Sequence, residues 1–163
     1  MEKTIKCAGK HGKIITDTDR PLHVCYVCTG NICRSPMAAA VTNHLCAGHV
    51  NAVSCGLYPN CGSPISANAV TALKNAGIPC TDDNNYAYHT AREATITLLK
   101  SCDRIYGMTG RHTMMLMTEF PELASKIYSM PREITDPWGG DLDTYERCLD
   151  DIIGCVKELF TIE

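Results

Sequence analysis

The chain has 163 residues, of which 45% are hydrophobic and 20% are charged, with a net charge of −3. This composition is typical of one globular domain with a substantial core. The acidic balance gives no support to nucleic-acid binding, and no apolar run approaches the roughly 20 residues that cross a membrane. The N-terminus has no apolar secretion signal, so we expect a cytoplasmic protein.

The predicted elements begin after residue 20. Residues 1–20 are polar and lack a periodic pattern, so we expect a flexible N-terminal extension before one domain over residues 21–163. Short apolar runs with β-branched residues predict four strands, at 22–28, 50–56, 103–108 and 126–130. Apolar spacing and terminal signals predict five helices, at 35–48, 66–78 (capped by Ser66), 90–101, 110–120 and 142–160. A loop rich in proline and glycine fills 131–141.

This alternation of strands and helices predicts an α/β fold. Successive strands joined through helices form a parallel sheet, and the helices cover both of its faces. We therefore expect a single three-layer domain with a four-stranded parallel sheet. Ligands of such sheets bind beyond the carboxyl ends of the strands. The loop that follows the first strand is the predicted location of the functional site.

Eleven cysteines occur in the chain, most of them among apolar neighbours. Free cysteine packs as a small hydrophobic residue, and this interpretation suits most of them, Cys25 included. The single C-x-x-C pair is Cys25 and Cys28, and no second pair follows at the spacing of zinc ligands. Residues three apart on a strand also point to opposite faces. We expect neither a metal nor a cofactor.

The sequence "CTGNICRS", residues 28–35, lies between a strand and a helix and has the composition of a phosphate-binding loop. Gly30 can adopt positive φ, and Asn31 tolerates the left-handed region. Such a loop can turn its N–H groups toward an anion, beside the positive end of the helix dipole. Arg34 offers a planar fork that matches two phosphate oxygens. Cys28 would have its thiolate stabilised there and could act as a nucleophile.

The segment "VCYVCTGNICRSPMAAAV" resembles the signature of the low-molecular-weight protein tyrosine phosphatases, and "DPWGG" resembles their acid loop. The resemblance runs from about residue 22 to residue 160. It implies a flavodoxin-like strand order and hydrolysis of phosphotyrosine in proteins, and of small aryl phosphates, through a cysteinyl-phosphate. Phosphorylated proteins would be the partners, and inorganic phosphate or another oxyanion the product or inhibitor.

The resemblance also implies roles for individual residues. Cys28 attacks phosphorus, Arg34 and the loop N–H groups hold the phosphoryl oxygens, and Asp136 protonates the leaving phenolate and later activates water. Ser35 would donate to the Cys28 thiolate. The residues of the phosphate-binding loop are Thr29, Gly30, Asn31, Ile32, Cys33 and Ser35.

Further residues would support this site. Asn31 and Ser54 would brace the loop, whereas Ala76 stands where many members have a histidine, which predicts weaker bracing. Tyr58 and Trp138 would form walls that contact the substrate ring. In the family a second cysteine of the loop can form a reversible disulfide with the nucleophile, and Cys33 stands in that position.

Three other functions fit parts of the pattern. A bacterial branch of protein-arginine phosphatases shares most of the loop but has threonine where this chain has the bulkier Ile32. Arsenate reductases share the loop but need two further cysteines after the third strand, and "IYGMTGRH" contains none. A non-catalytic phosphate-binding module is disfavoured because Cys28, Arg34 and Asp136 are all present.

Overall fold

The computed structural model describes residues 5–7 and 20–162. Its strands are β1 (Ile5–Cys7), β2 (Leu22–Cys28), β3 (Val50–Gly56), β4 (Arg104–Gly107), β5 (Ile127–Ser129) and β6 (Phe160–Ile162). Its α-helices are α1 (Arg34–Leu45), α2 (Ala67–Asn75), α3 (Ile96–Lys100), α4 (Gly110–Glu119) and α5 (Leu142–Leu159). Short 3₁₀ turns cover Tyr86–Tyr88 and Pro121–Lys126.

Four of the strands form one parallel sheet in the order β3-β2-β4-β5. This order confirms the predicted four-stranded parallel sheet of flavodoxin-like topology. β2 is central, and every residue from Val24 to Cys28 is buried, as expected for a strand that is covered on both faces. At the carboxyl end Cys28 pairs in register with Gly56 of β3. The loop that carries the signature therefore starts at the centre of the sheet.

The helices lie on both faces of this sheet, as predicted. One core cluster packs α1, α2 and α5 against the face that carries Tyr26 and Cys28. The other packs α3 and α4 against the face that carries Cys25 and Val27. Cys25 and Cys28 thus point to opposite faces, which confirms the alternation expected along the strand, and Cys25 is packed in the core.

One predicted helix is shorter in the structure than in the sequence-based prediction. Instead of covering 90–101, α3 covers only Ile96–Lys100, and the Thr95 hydroxyl accepts a hydrogen bond from Leu98 N at its start. The backbone just before it bonds elsewhere, because Ala94 N donates to Gly56 O and the Arg92 carbonyl accepts from Gly56 N. These contacts between distant segments take backbone groups that a longer helix would have used.

The cap of α2 also differs from expectation. Ser66 occupies the N-cap position, but its side chain makes no capping bond. Its hydroxyl instead donates to the Tyr145 hydroxyl of α5 at 2.9 Å. The Ser66 hydroxyl, which the sequence predicted to cap α2, therefore links α2 to α5 instead.

β1 and β6 form a separate two-stranded antiparallel sheet, in which Ile5 faces Ile162 and Cys7 faces Phe160. This pairing corrects the expectation of an extension without regular structure at residues 5–7. Residues 1–4 and 8–19, which that expectation also covered, lie outside the described residues. Within the described part of the chain, no helix has the length and apolar character needed to span a membrane.

Candidate active site

The phosphate-binding loop occupies residues 28–35 and joins β2 to α1. Its backbone turns at Asn31, whose φ of 57° is the only left-handed value of a non-glycine residue in the described chain. Gly30, for which positive φ was expected, lies outside the left-handed region. The turn is therefore made by a residue whose side chain can be anchored, which a glycine could not provide.

The Asn31 side chain is fully buried, and all of its bonds are internal. The Arg92 backbone N–H donates to Oδ1 at 3.1 Å, and this contact fixes the orientation of the amide. Nδ2 then donates to Ser35 Oγ at 2.8 Å and to Ser54 Oγ at 2.9 Å. Asn31 thus ties the loop to the start of α1, to β3 and to the segment before α3. The structure brings Ser54 to the position expected of a brace.

Cys28 is 3% exposed, and its sulfur lies inside this network. Ser35 Oγ accepts from Asn31 Nδ2 and lies 2.9 Å from Sγ, and when Cys28 is a thiolate, which can only accept, the Ser35 hydroxyl donates to the sulfur. The Asn31 backbone N–H also points to Sγ, at 3.3 Å. Two donors therefore face the sulfur, which is the arrangement that a thiolate nucleophile requires.

Close packing at the end of β3 keeps the loop in place. A Cβ at Gly56 would lie 2.6 Å from the Thr29 carbonyl oxygen, so only glycine allows the two backbones to approach. Beyond Gly56, Leu57 N donates to Cys28 O at 3.0 Å and Tyr58 N donates to Thr29 O at 3.1 Å. The base of the loop is thus held by main-chain bonds as well as by Asn31.

The Arg34 guanidinium is buried and connects the phosphate loop to the loop before α5. NH1 donates to the Ile134 carbonyl at 3.1 Å, and NH2 lies 3.5 Å from Asp136 Oδ2. Asp136 is 55% exposed, and its Oδ1 accepts a bond from Trp138 N at 3.1 Å. Asp136 therefore lies at the open side of the phosphate loop, with the remaining Arg34 N–H groups available for an anion.

Cys33 lies at the N-cap position of α1 and is buried. Its sulfur lies 3.2 Å from the Tyr145 hydroxyl, which accepts from Ser66 and so directs its own hydrogen toward Cys33. Burial raises the pKa of the Cys33 thiol. Burial, together with the bond to Cys33, raises the pKa of Tyr145 to about 12. Cys33 is therefore a protonated thiol packed against α5.

Two of the residues that brace the loop were not identified from the sequence. His89 Nε2 lies 2.9 Å from the Asn31 carbonyl, which can only accept, so Nε2 carries the proton. Burial lowers the pKa of His89. Arg92, besides bonding Asn31, donates from Nε to Ser54 O at 3.0 Å. The bracing that was predicted to be weaker because of Ala76 is thus supplied by His89 and Arg92, from the segment before α3.

His112, at the start of α4, also contacts the loop and was not assigned a role. Its Nε2 lies 2.9 Å from Thr29 Oγ1, and its Nδ1 lies 3.0 Å from Thr109 Oγ1. Burial and the nearby Arg34 charge lower the pKa of His112 to about 4, so the ring is neutral at neutral pH. Helical spacing was the only local signal at this residue, and it does not indicate contact with the loop.

Of the residues expected near a substrate, the two aromatic ones are exposed and Ile32 is partly buried. Tyr58 is 68% exposed and follows the end of β3, whereas Trp138 is 71% exposed and follows Asp136. Ile32 is partly buried and packs against the core. Both aromatic rings are thus free to meet a ligand from loops that adjoin the phosphate loop. Among the described residues, no group of three or more His, Cys, Asp or Glu side chains is placed to hold a metal ion.

The sheet, the loop around Cys28 and the approach of Asp136 define a phosphatase of cysteine-nucleophile type. Residues 23–162 match the sequence profile of the low molecular weight phosphotyrosine protein phosphatases. The chain belongs to this family.

The relatives are named for two different activities, arginine phosphatase and tyrosine phosphatase. The protein-arginine-phosphatase of Geobacillus stearothermophilus is 30% identical over 85% of this chain and 94% of its own length. The low molecular weight protein tyrosine phosphatase of T. tengcongensis has a solved structure with a TM-score of 0.76, 30% identity, and coverage of 85% of this chain and 97% of its own. Vibrio vulnificus Wzb, solved with benzylphosphonate, has a TM-score of 0.74 and 25% identity over 83% of this chain and 94% of its own.

Proposed function

We propose that this chain hydrolyses phosphotyrosine in proteins, and small aryl phosphates, through a cysteinyl-phosphate on Cys28. The observation that carries the proposal is the approach of Asp136 to Arg34, at 3.5 Å, beside the loop that holds Cys28. A nucleophile, a phosphate-binding cation and a carboxyl group that can move a proton thus meet at one site. Cys28 and Arg34 lie far from Asp136 in the sequence, so only the fold brings the three side chains together.

In the first step the Cys28 thiolate attacks phosphorus. The S–P bond forms as the bond from phosphorus to the phenol oxygen breaks, and Asp136 gives its proton to the leaving phenolate. In the transition state negative charge is spread over the three equatorial oxygens of the phosphoryl group. Arg34 and the N–H groups of residues 29–35 are fixed before the reaction, so they stabilise that charge without rearranging.

In the second step water replaces the thiolate. Asp136, now a carboxylate, takes a proton from the attacking water, whose oxygen bonds phosphorus while the S–P bond breaks. The electron pair returns to Cys28, where Ser35 and Asn31 N–H donate to the sulfur. Inorganic phosphate leaves, so it should also act as an inhibitor, as other oxyanions of that shape should. No step requires a metal or a cofactor.

Two features support an aromatic ester as the substrate. Tyr58 and Trp138 present exposed rings on loops next to the phosphate loop, and aromatic rings pack well on a phenyl group. The Vibrio vulnificus relative was solved with benzylphosphonate, a phosphonate that carries such a ring. Phosphorylated proteins are accordingly the proposed partners.

Protein-arginine phosphatase is the second candidate, because relatives with that name align over 85% of this chain. Ile32 distinguishes the two. A small polar residue at this position suits a planar phosphoguanidinium, whereas the bulky apolar side chain of Ile32 leaves the guanidinium without a polar partner. We therefore place phosphotyrosine first.

A paired assay tests this choice. Wild-type protein should have a kcat/KM for a phosphotyrosine peptide at least about tenfold above that for a phosphoarginine peptide. Ile32→Thr should move the ratio toward phosphoarginine, whereas Ile96→Thr, a partly buried apolar position on α3, should leave it unchanged. Preference of the wild type for phosphoarginine would reverse the assignment. Turnover that survives Cys28→Ser would remove the covalent mechanism.

A further inference from the structure

The first loop residue after the nucleophile has a side chain held by a buried histidine. Thr29 is exposed at the rim of the phosphate loop, whereas His112 is only 5% exposed. Thr29 Oγ1 lies 2.9 Å from His112 Nε2, and Thr109 Oγ1 lies 3.0 Å from Nδ1 on the other side of the ring. The imidazole is thus clamped between two hydroxyl groups from different elements.

One arrangement of the hydrogen atoms in this chain of bonds leaves a donor for a ligand. Thr109 Oγ1 caps α4 by accepting from His112 N at 3.3 Å, and in one of the two neutral tautomers of the ring its own hydrogen is directed at Nδ1. A neutral imidazole that accepts at Nδ1 carries its proton on Nε2 and donates it to Thr29 Oγ1. In this tautomer the Thr29 hydroxyl accepts a bond from His112 and keeps its own hydrogen free for a ligand.

The charges around the ring keep it in this state. Burial is the largest cause and lowers the pKa of His112, Arg34 and Arg111 lower it further, and Asp136 and Glu133 raise it, so that the pKa is about 4. At neutral pH the ring is therefore uncharged. A protonated ring would carry hydrogen on Nδ1 as well and would compete with the Thr109 hydroxyl, which would break the order of donors.

We propose that the Thr29 hydroxyl donates a hydrogen bond to an oxygen of the bound phosphoryl group, and that His112 is a positioning residue that orients this hydroxyl. Thr29 would then add a side-chain donor to the main-chain donors of the loop. His112 and Thr109 act only through it. This role rests on the proposed phosphatase function, because the phosphoryl group that Thr29 contacts is the one bound by the phosphate loop.

Titration with inorganic phosphate tests the proposal without depending on the substrate. Thr29→Val removes the hydroxyl at nearly constant volume, and it should weaken phosphate binding about ten- to hundredfold, the usual range for a bond to a charged group. His112→Ala should weaken it by a similar factor. The double variant should bind no worse than the weaker single variant, within about twofold, because both changes remove one bond. His112→Gln keeps a donor near Nε2 and should restore most of the affinity.

Controls separate this role from a general effect on stability. Thr118→Val, at an exposed position on the same helix, should leave phosphate affinity and Tm unchanged. If His112→Ala fails to fold, Thr29→Val and His112→Gln still decide the question. Wild-type affinity in Thr29→Val, or losses that multiply in the double variant, would overturn the proposal, as would a wild-type protein that binds no phosphate. Phosphate binding without turnover of aryl phosphates would instead count against the proposed function alone.

Discussion

The phosphate loop, residues 28–35, and the acid loop, residues 131–141, meet at Arg34 but are built in opposite ways. In the phosphate loop Asn31 and Ser35 are completely buried, and their polar atoms bond inside the protein. In the acid loop the Asp136 and Trp138 side chains are more than half exposed. One loop is fixed by the core, and the other lies at the surface.

This difference matches two different tasks. The phosphoryl group is the same in every substrate, so a rigid set of donors can be complementary to its transition state. The leaving group differs from one substrate to the next, and a solvated loop can carry the proton donor to it. Other carboxylates near Asp136 have structural roles: Glu133 accepts from the first amide of α4, Asp141 caps α5, and Asp143 pairs with an arginine one turn along α5. Asp136 alone among these four pairs with Arg34.

Among the changes to these two loops, removing the proton donor should lower activity most. We expect Asp136→Asn to lower kcat/KM for phosphotyrosine about 10²–10⁴-fold, the usual contribution of general acid catalysis. An aryl phosphate whose phenol has a much lower pKa than tyrosine should lose far less, since its leaving group needs no proton. The comparison belongs in kcat/KM, because a slow second step can hide it in kcat.

Asp143→Asn is the matched control for this change, since Asp143 lies in the same region and forms an exposed ion pair with Arg147 at 2.8 Å. It should stay within about twofold of the wild type, because such pairs contribute little. Equal losses for good and poor leaving groups in Asp136→Asn would make Asp136 structural. The acid would then have to be one of the other carboxylates.

The next largest effect should come from Arg34, the residue that joins the two loops. Arg34→Lys keeps the charge but loses the planar fork and the bond to the Ile134 carbonyl. We expect a kcat/KM about 10²–10³-fold below the wild type, nearly as low as in Arg34→Ala. Arg111→Lys, exposed on α4, should be silent. Near-normal turnover in Arg34→Lys would show that charge alone suffices at this position.

Loosening the phosphate loop should have a smaller effect, on both activity and stability. Asn31→Ala deletes three internal hydrogen bonds and removes the partner of the buried Ser54 hydroxyl, which should cost about 1–3 kcal/mol in free energy of unfolding. Asn31→Gly loses the same bonds but tolerates the φ of 57°, so it should be about 1 kcal/mol more stable than Asn31→Ala. Denaturant titration measures both.

Activity should fall by a similar factor in Asn31→Ala and Asn31→Gly, because the lost bonds position Ser35 and Ser54 in both. The control is Asn75→Ala, which removes a single exposed bond to Glu146 at 2.9 Å. If Asn31→Gly had wild-type activity, the conformation of the turn, and not its side-chain anchors, would position the nucleophile.

The smallest effect concerns recovery from oxidation. Mild peroxide should oxidise Cys28 to a sulfenic acid, and the Cys33 thiol should then form a disulfide with it, releasing water. Thiol reductant should restore activity in the wild type and in Cys61→Ser, which lacks an exposed thiol, but to a smaller extent in Cys33→Ser. Cys33 must leave its contact with Tyr145 to react. Equal recovery in all three proteins would leave Cys33 only its packing role.

Local sequence was sufficient to predict most of the fold. The four strands of the main sheet and the long helix α5 follow from apolar periodicity, which depends on residues close along the chain. Cys28, Arg34 and Asp136 stand in a motif whose residue types fit a phosphate site, and the structure brings them together. Their catalytic roles stay predictions until they are tested by the variants above.

The second layer of the site could not be predicted in this way. His89 and His112 reach the loop from 58 and 83 residues away in the chain, and their own segments carry no signal for that contact. Tyr145 fits the apolar face of α5, and only the fold places its hydroxyl between Ser66 and Cys33. The short α3 also results from contacts between distant segments, since Arg92 O and Ala94 N bond Gly56 instead of extending the helix.

The main-chain bonds from Leu57 and Tyr58 to Cys28 and Thr29 extend the ladder between β2 and β3 past the last paired residues. Amide hydrogens in such a ladder exchange with solvent only when the strands separate, and β2 lies at the centre of its sheet. Separating the backbone at the base of the phosphate loop from β3 therefore requires the same cooperative opening as unfolding the sheet. Thermal inactivation and loss of the sheet should accordingly coincide in one transition, without an earlier stage in which the phosphate loop melts alone.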